Sequence, residues 1–158
     1  MDWPALYKTL GLCLVSILIE AVSYTKSGKT WFESLSQPRL SFSLKVWYFV
    51  GAVYYILFGY IAYRLFKNFV SLNLPIILLI FIMVLNGIGN FILFKFRSTK
   101  WFYLVIYPFG LLLLTFIIVV IPYDRISAYF ASVYFVWLIY DLYYAYGLWR
   151  LHEKKPDQ

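Results

Sequence analysis

Cysteine and histidine are almost missing from this sequence, which has one of each among its 158 residues. Cys13 has no second cysteine to pair with, so an intrachain disulfide and a cysteine-based metal site are both excluded. His152 stands alone in the polar C-terminal stretch, which excludes a histidine metal cluster and a Ser-His-Asp triad. A glycine-rich phosphate-binding loop is missing as well. We therefore expect no enzyme activity and no required cofactor.

Charged residues are also few, at 13% of the chain against 63% hydrophobic residues. Five apolar runs of about 20 residues match the roughly 30 Å hydrocarbon core of a bilayer. They are too long and too evenly apolar for the alternating strands of a barrel. The sequence therefore predicts an all-α, polytopic membrane protein, a five-transmembrane-helix bundle in a single domain, 1–158. The spans are predicted at about 5–24, 46–67, 72–94, 101–121 and 126–149, with a polar tail at 150–158.

The basic residues predict how the chain is oriented in the membrane. If the spans alternate, one side carries Lys8, Arg64, Lys67 and Arg125. The other side carries Lys26, Lys29, Arg39, Lys45, Lys95, Arg97, Lys100, Arg150, Lys154 and Lys155. The positive-inside rule assigns this second side to the cytoplasm, so the C-terminus is expected inside and the N-terminus outside, in the cell membrane if the source is prokaryotic. The same asymmetry explains the net charge of +7, and we expect no nucleic acid partner.

The connection between the first two spans is the longest, with the sequence SYTKSGKTWFESLSQPRLSFSLK. Long connections in compact domains are more often binding loops or lids than spacers. This one contains several apolar side chains that could pack back over the bundle: Trp31, Phe32, Leu35, Leu40 and Phe42. We expect a structured loop that covers one end of the spans. The alternative is an aromatic anchor lying on the membrane surface.

Polar and aromatic residues from four spans are predicted to meet at one level, near the end that this loop would cover. They are Glu20, Trp47, Gly51, Tyr54, Tyr55, Asn86, Asn90, Trp137 and Asp141. Asn86 and Asn90 lie one helical turn apart on one face, and so do Trp137 and Asp141. The pattern therefore predicts a polar site inside the bundle.

Asp141 lies in the apolar run LIYDLYYAY, and an ionisable residue within a span indicates a functional site. Its carboxyl group should face the interior, where a tyrosine hydroxyl, an asparagine amide, Arg39 or a ligand could satisfy it. The alternative is a hydrogen bond that only fixes helix packing, and the asparagines have the same alternative. Glu20 lies near the interface, where snorkelling or pairing with Lys26 or Lys29 would explain it.

Two stretches carry a resemblance to a known family. The chain reads WFESLSQPRLSFS from Trp31 and VGAVYYILFGY from Val50. These stretches resemble the signatures W-Y-x-x-L-x-K-P-x-W-x-P-P and V-W-x-x-x-Y-x-x-x-G-Y of the TspO/MBR family, the tryptophan-rich sensory and translocator proteins. The matching residues are Trp31, Leu35, Pro38, Tyr55, Gly59 and Tyr60, followed by Leu85, Asn86, Trp137, Trp149 and Arg150.

The chain departs from the family pattern at several positions. Gly51 and Gly89 stand where the second and third helices of the family carry tryptophan, although Trp47 lies one turn before Gly51. The other departures are Gln37, Leu40, Phe42, Ser43, Val133 and Ala145. Asp141 is this chain's own addition to the pattern. These changes leave the expected fold intact and the identity of a ligand open.

The resemblance implies a homodimer of five-helix bundles, each with a pocket beneath the first loop. Porphyrins, haem-like tetrapyrroles, sterols and benzodiazepine-type drugs are the ligands it implies, so a porphyrin or haem would be a bound guest. By position, it assigns Trp31, Phe32, Leu35 and Pro38 to the lid, Gly51 and Tyr55 to one wall, and Asn86 and Trp137 to another.

Three functions are compatible with the sequence. The first is a membrane receptor or carrier for a flat hydrophobic ligand, whose polar edge would contact Asn86, Tyr55 and Asp141. The second is a proton-coupled transporter that uses Asp141 and Glu20, although no broken helices appear in matching positions. The third is a scaffold with a vestigial cavity. The predicted ligand-binding residues are Trp31, Phe32, Leu35, Pro38, Trp47, Gly51, Tyr55, Asn86, Asn90, Trp137 and Asp141.

Overall fold

The structure, a computed structural model, describes residues 2–69 and 71–153. Within these ranges the secondary structure is helical, without strands. The helices are α1 (Trp3–Ser23), α2 (Lys26–Ser34), α3 (Leu44–Asn68), α4 (Leu74–Phe94), α5 (Thr99–Val120) and α6 (Arg125–Glu153). All except α2 are long and apolar enough to cross a membrane. The predicted all-α class with five candidate spans is therefore confirmed.

Short polar side chains set the starts of the helices. Asp2 accepts a hydrogen bond from the amide of Ala5, Asn73 from that of Ile76, and Ser98 from that of Trp101. Each pairs an amide of the first turn that has no partner within the helix. The observed bounds differ from the predicted spans mainly at α6, which continues through the beginning of the predicted polar tail to Glu153. Lys154 and Lys155, counted in the charge comparison, lie outside the described residues.

The five long helices pack side by side in the order α1, α4, α5, α6, α3, and α3 closes the ring against α1. Large side chains fill the centre, among them Phe58, Ile61, Leu79, Leu113 and Phe116, all fully buried. The outer surface carries many exposed apolar side chains. Such a surface would drive a water-soluble monomer to associate, whereas it suits contact with lipid chains. The helices therefore fit an integral, multi-pass membrane protein.

The connection predicted as a structured loop contains the short helix α2. Thr25 caps it by accepting a hydrogen bond of 3.0 Å from the amide of Gly28. Phe32 is 5% exposed and packs on Phe94 at the end of α4, with the ring centroids 5.2 Å apart. Gly28 permits this close approach, because a Cβ there would lie 2.5 Å from the Phe94 carbonyl oxygen. The helix α2 thus lies over one end of the bundle, called the α2 end below.

An ion pair joins α3 to the start of α6 at the opposite end. The Arg64 guanidinium contacts both carboxylate oxygens of Asp124, at 2.7 Å from Nε and 2.9 Å from Nη2. The Ser127 hydroxyl donates a third bond of 2.7 Å. Burial by itself would raise the pKa of Asp124, but the bonds from Arg64 and Ser127 outweigh burial and hold this pKa below its ordinary value. The side chain of Asp124 is only 3% exposed, so removing it would leave Arg64 with a partly buried, uncompensated charge.

Candidate functional site

A cavity lies inside the bundle beneath α2, between α3, α4, α5 and α6 and beside the end of α1. The space outside protein atoms is about 860 Å³, including the part open to the surface. The centres of water-sized molecules can occupy about 110 Å³ of it, which is room for several waters. Its aromatic wall includes Phe32, Trp47, Phe102, Phe109, Trp137 and Tyr144.

Glu20 lines this cavity and is held by two neighbouring helices. The hydroxyl of Tyr55 in α3 donates a hydrogen bond of 2.6 Å to Oε2, and Asn90 Nδ2 in α4 donates one of 3.1 Å to Oε1. The alternative that Glu20 pairs with Lys26 or Lys29 is wrong, since Glu20 forms no ion pair with a described residue, and Lys29 instead lies 3.9 Å from Glu33. Snorkelling of Glu20 to the interface is wrong as well, because both of its carboxylate oxygens accept hydrogen bonds inside the bundle.

Asp141 lines the same cavity, but its carboxyl group is left without the expected partners. Oδ1 is buried and has no hydrogen-bond partner. Asn90 donates to Glu20 instead, and Arg39, the loop cation considered for this role, is exposed. The expectation that a tyrosine, an asparagine or Arg39 satisfies this oxygen is therefore wrong. The neighbouring donor that the structure does place at this carboxyl group is the indole of Trp137, one turn earlier on α6.

Two further buried polar atoms are unpartnered, the indole Nε1 of Trp47 and the hydroxyl of Tyr54. Together with Asp141 Oδ1, they are the buried side-chain nitrogen and oxygen atoms without a partner in the described part of the chain. All three belong to residues that line the cavity. Buried polar groups are nearly always hydrogen-bonded, so this coincidence requires an explanation at the cavity itself.

Two tyrosines of α6 form hydrogen bonds with the segment that follows α2. The Tyr144 hydroxyl donates a bond of 2.7 Å to Gln37, and the Tyr140 hydroxyl donates one of 2.8 Å to the Leu40 carbonyl oxygen. Phe42 in the same segment stacks on Trp137 with ring centroids 6.0 Å apart. These contacts bring α2 and the following segment together as one cover over the α2 end.

Comparison with protein families gives one result that decides the family. The model of the TspO/MBR family matches residues 9–150, which include every cavity residue described above. The chain belongs to the TspO/MBR family. No curated protein matches it significantly. Membership of the TspO/MBR family places the chain among membrane proteins of receptor or transporter type.

The structure brings together most of the residues that the sequence and the TspO/MBR pattern assigned to a site. Those that line the cavity are Phe32, Trp47, Gly51, Asn86, Asn90, Trp137 and Asp141. Trp31 and Leu35 instead line a separate outer depression with His152. Pro38 is buried against Gly147, and Tyr55 lies behind Glu20 as its hydrogen-bond donor. Trp31, Leu35, Pro38 and Tyr55 are thus neighbours of the cavity and not part of its lining.

Several lining residues of this TspO/MBR protein were not among the predicted ligand-binding residues. Glu20 was considered but given a surface role, and Tyr54 was placed at the same level without being assigned to the site. The helix α5 contributes Phe102, Val105, Ile106 and Phe109. No polar residue marks this face of α5, so the sequence offered no signal for it.

Proposed function

We propose that this TspO/MBR protein binds a flat hydrophobic small molecule with a polar edge in the cavity beneath α2. The observation that carries the proposal is the grouping of Asp141 Oδ1, Trp47 Nε1 and the Tyr54 hydroxyl in one aromatic cavity. Each unpartnered buried group costs roughly 1–3 kcal/mol. A ligand edge with a donor and acceptors would recover that free energy, while its faces stack on the indole rings.

Tetrapyrroles, sterols and benzodiazepine-type drugs are the ligand classes that fit this description through the family resemblance. The ring of a tetrapyrrole would supply most of the contact, because the described lining residues include no histidine, cysteine or methionine and offer only tyrosine hydroxyls as ligands for a haem iron. In this proposal porphyrin or haem is a guest and not a required cofactor. The protein is then a binding protein without enzymatic activity.

Replacing the cavity tryptophans tests the proposal. Trp47→Leu and Trp137→Leu should each raise the Kd for protoporphyrin IX by about tenfold, because each loses ring stacking and apolar contact area. The titration follows the porphyrin's own absorbance, so that removing an indole does not remove the signal. Trp3→Leu, the same change at the exposed opposite end, should leave the Kd unchanged. Equal effects at all three positions would show that the porphyrin partitions into the surrounding lipid instead of the cavity.

A proton-coupled transporter is the second candidate, because both membrane carboxyl groups, Glu20 and Asp141, reach the same cavity. Flux into liposomes separates the two functions. Uptake that requires a pH gradient and is lost in Asp141→Asn supports transport, whereas saturable binding without flux supports a receptor. The empty volume weighs against the third reading, a vestigial cavity filled by side chains.

We also propose that the α2 end faces the cytoplasm. The basic side chains described at this end are Lys26, Lys29, Arg39, Lys45, Lys95, Arg97, Lys100 and Arg150. The opposite end carries half as many basic side chains. By the positive-inside rule, that end is the outer side. A membrane-impermeant thiol reagent should label Ser34→Cys, in a Cys13→Ser background, only after intact cells are permeabilised. Labelling in intact cells would reverse the orientation.

A further inference from the structure

We propose that the cavity prefers a cationic ligand, a flat apolar ring system carrying a protonated amine, with the ammonium group seated between Asp141 and the indoles of Trp47 and Trp137. This inference rests on the proposed function, because it concerns the same cavity. It narrows the preferred ligand from any flat hydrophobic molecule to an aromatic amine, and it disfavours only a ligand whose carboxylate group would lie against Asp141.

The charge of the lining is the first argument. Glu20 and Asp141 are acidic, and no lysine, arginine or histidine lines the cavity within the described ranges. Tyr55 and Asn90 each occupy one oxygen of Glu20, which leaves Asp141 as the carboxyl group with a free acceptor. An ammonium group would stabilise the Asp141 carboxylate by charge pairing in a site of low dielectric constant, whereas a ligand carboxylate would find no cation to pair with there.

Among the residues that the structure describes, no basic side chain pairs with Asp141. The basic side chains considered are the one that follows Asp141 on α6 and two in the cover formed by α2 and the segment after it. Each of them is paired with another carboxyl group or exposed. Arg150 pairs with Glu153, Lys29 lies beside Glu33, and Arg39 is exposed. A protonated amine on the ligand would supply both the missing donor and the missing positive charge.

Aromatic rings around Asp141 are the second, independent argument. Trp137 lies one helical turn before Asp141. The rings of Trp47 and Trp137 stand at 79° with centroids 5.7 Å apart, and Tyr144 lies 4.7 Å from Trp47. In this edge-to-face arrangement the edge of one indole meets a face of the other, and Phe42 stacks on Trp137, so a ligand would meet the ring faces that remain at the cavity lining. An ammonium group within about 6 Å of such faces is attracted by their quadrupoles, most strongly by tryptophan. Carboxylate and indole faces together form the chemistry that recognises alkylammonium and arylammonium groups.

A matched set of three ring compounds tests the inference. The probes are 9-(aminomethyl)acridine, whose alkylamine is protonated at neutral pH, acridine, which is neutral, and acridine-9-carboxylate, which is an anion. They are titrated into the protein in nanodiscs of phosphatidylcholine, with empty nanodiscs as the blank for partition into lipid. We expect the amine to bind about tenfold more tightly than acridine, as one cation–π contact with charge pairing would give, and the carboxylate to bind most weakly.

Asp141→Asn should remove the advantage of the amine and leave the Kd of neutral acridine unchanged, because the shape of the site is kept. Glu33→Gln is the matched control, since it removes an exposed carboxyl group of α2 that does not line the cavity. The amine should keep its advantage in this variant. The probe series on the unsubstituted protein remains decisive even if Asp141→Asn folds poorly.

These experiments distinguish failure of the cationic preference from failure of the proposed function. Saturable binding of all three probes with equal Kd, or an amine advantage that persists in Asp141→Asn, overturns the cationic preference and leaves the proposed function standing. Absence of saturable binding for the three probes and for protoporphyrin IX removes the proposed function, and the inference with it.

Discussion

Gly51→Trp should weaken ligand binding by about 100-fold while the bundle stays folded. A Cβ at Gly51 meets no atom within 4 Å, and the position lines the cavity, so an indole there has room only by occupying the space of the ligand. Trp47 already stands one turn earlier on α3, so this chain would carry two indoles where the family signature places one. Overpacking costs about 1–3 kcal/mol, and the upper end of that range raises a Kd by about 100-fold.

The measurement is a titration of protoporphyrin IX by absorbance, together with the midpoint of thermal unfolding. Gly11→Trp is the matched control, because Gly11 also has open space around it but lies on the exposed face of α1. Both variants should unfold near the temperature of the parent. Unchanged affinity in Gly51→Trp would mean that the ligand occupies another place.

Asp124→Ala should lower the free energy of unfolding by about 3 kcal/mol, the lower end of what breaking a buried ion pair costs. Arg64 would lose both of its contacts to the carboxylate, and Ser127 would lose its acceptor. Glu153→Ala removes the acidic partner of an exposed pair with Arg150 and should cost no more than about 1 kcal/mol. Unfolding in mixed micelles with increasing dodecyl sulfate measures both. Equal losses in the two variants would contradict a special role of the Asp124 pair.

The effect of Asp124 should also depend on pH. A carboxyl group whose pKa is lowered on folding stabilises the protein fully above its unfolded pKa, which is about 4. That contribution is lost as the pH falls through the lower, folded pKa. The difference in stability between the parent and Asp124→Ala should therefore be constant near neutral pH and shrink below about pH 4. A difference that grows on acidification would show that the sign of the pKa shift is wrong.

The spans were predictable because a bilayer requires long apolar helices, and the length and apolar composition of the five runs show this directly. The end of α6 was not predictable in this way. The polar residues from Arg150 onward mark where the chain leaves the hydrocarbon, but a helix can continue into water beyond that point. The helix α2 was expected only as a structured loop. Its signal was available in Thr25 as an N-cap, but the stretch is short and rich in Ser and Gly.

The level of the site was predictable from the sequence, but the direction of each side chain was not. Successive helical residues point about 100° apart, so the choice between Tyr54 and Tyr55 depends on the rotation of α3. Tyr54 lines the cavity, and Tyr55 turns to Glu20. Glu20 itself lies close enough to a helix end for a surface role, and only the packing of α1 against α3 and α4 brings it inward.

Photolabelling tests the central claim, that the cavity beneath α2 holds a small molecule, most directly. An azide-bearing acridine is irradiated with the protein in nanodiscs, and the labelled residues are mapped by mass spectrometry with and without excess acridine. We predict labels on lining residues of α3 and α6, such as Trp47, Leu138 and Tyr144, that the competitor suppresses. Labels confined to lipid-facing residues such as Phe49 and Phe81, and unaffected by the competitor, would contradict the account.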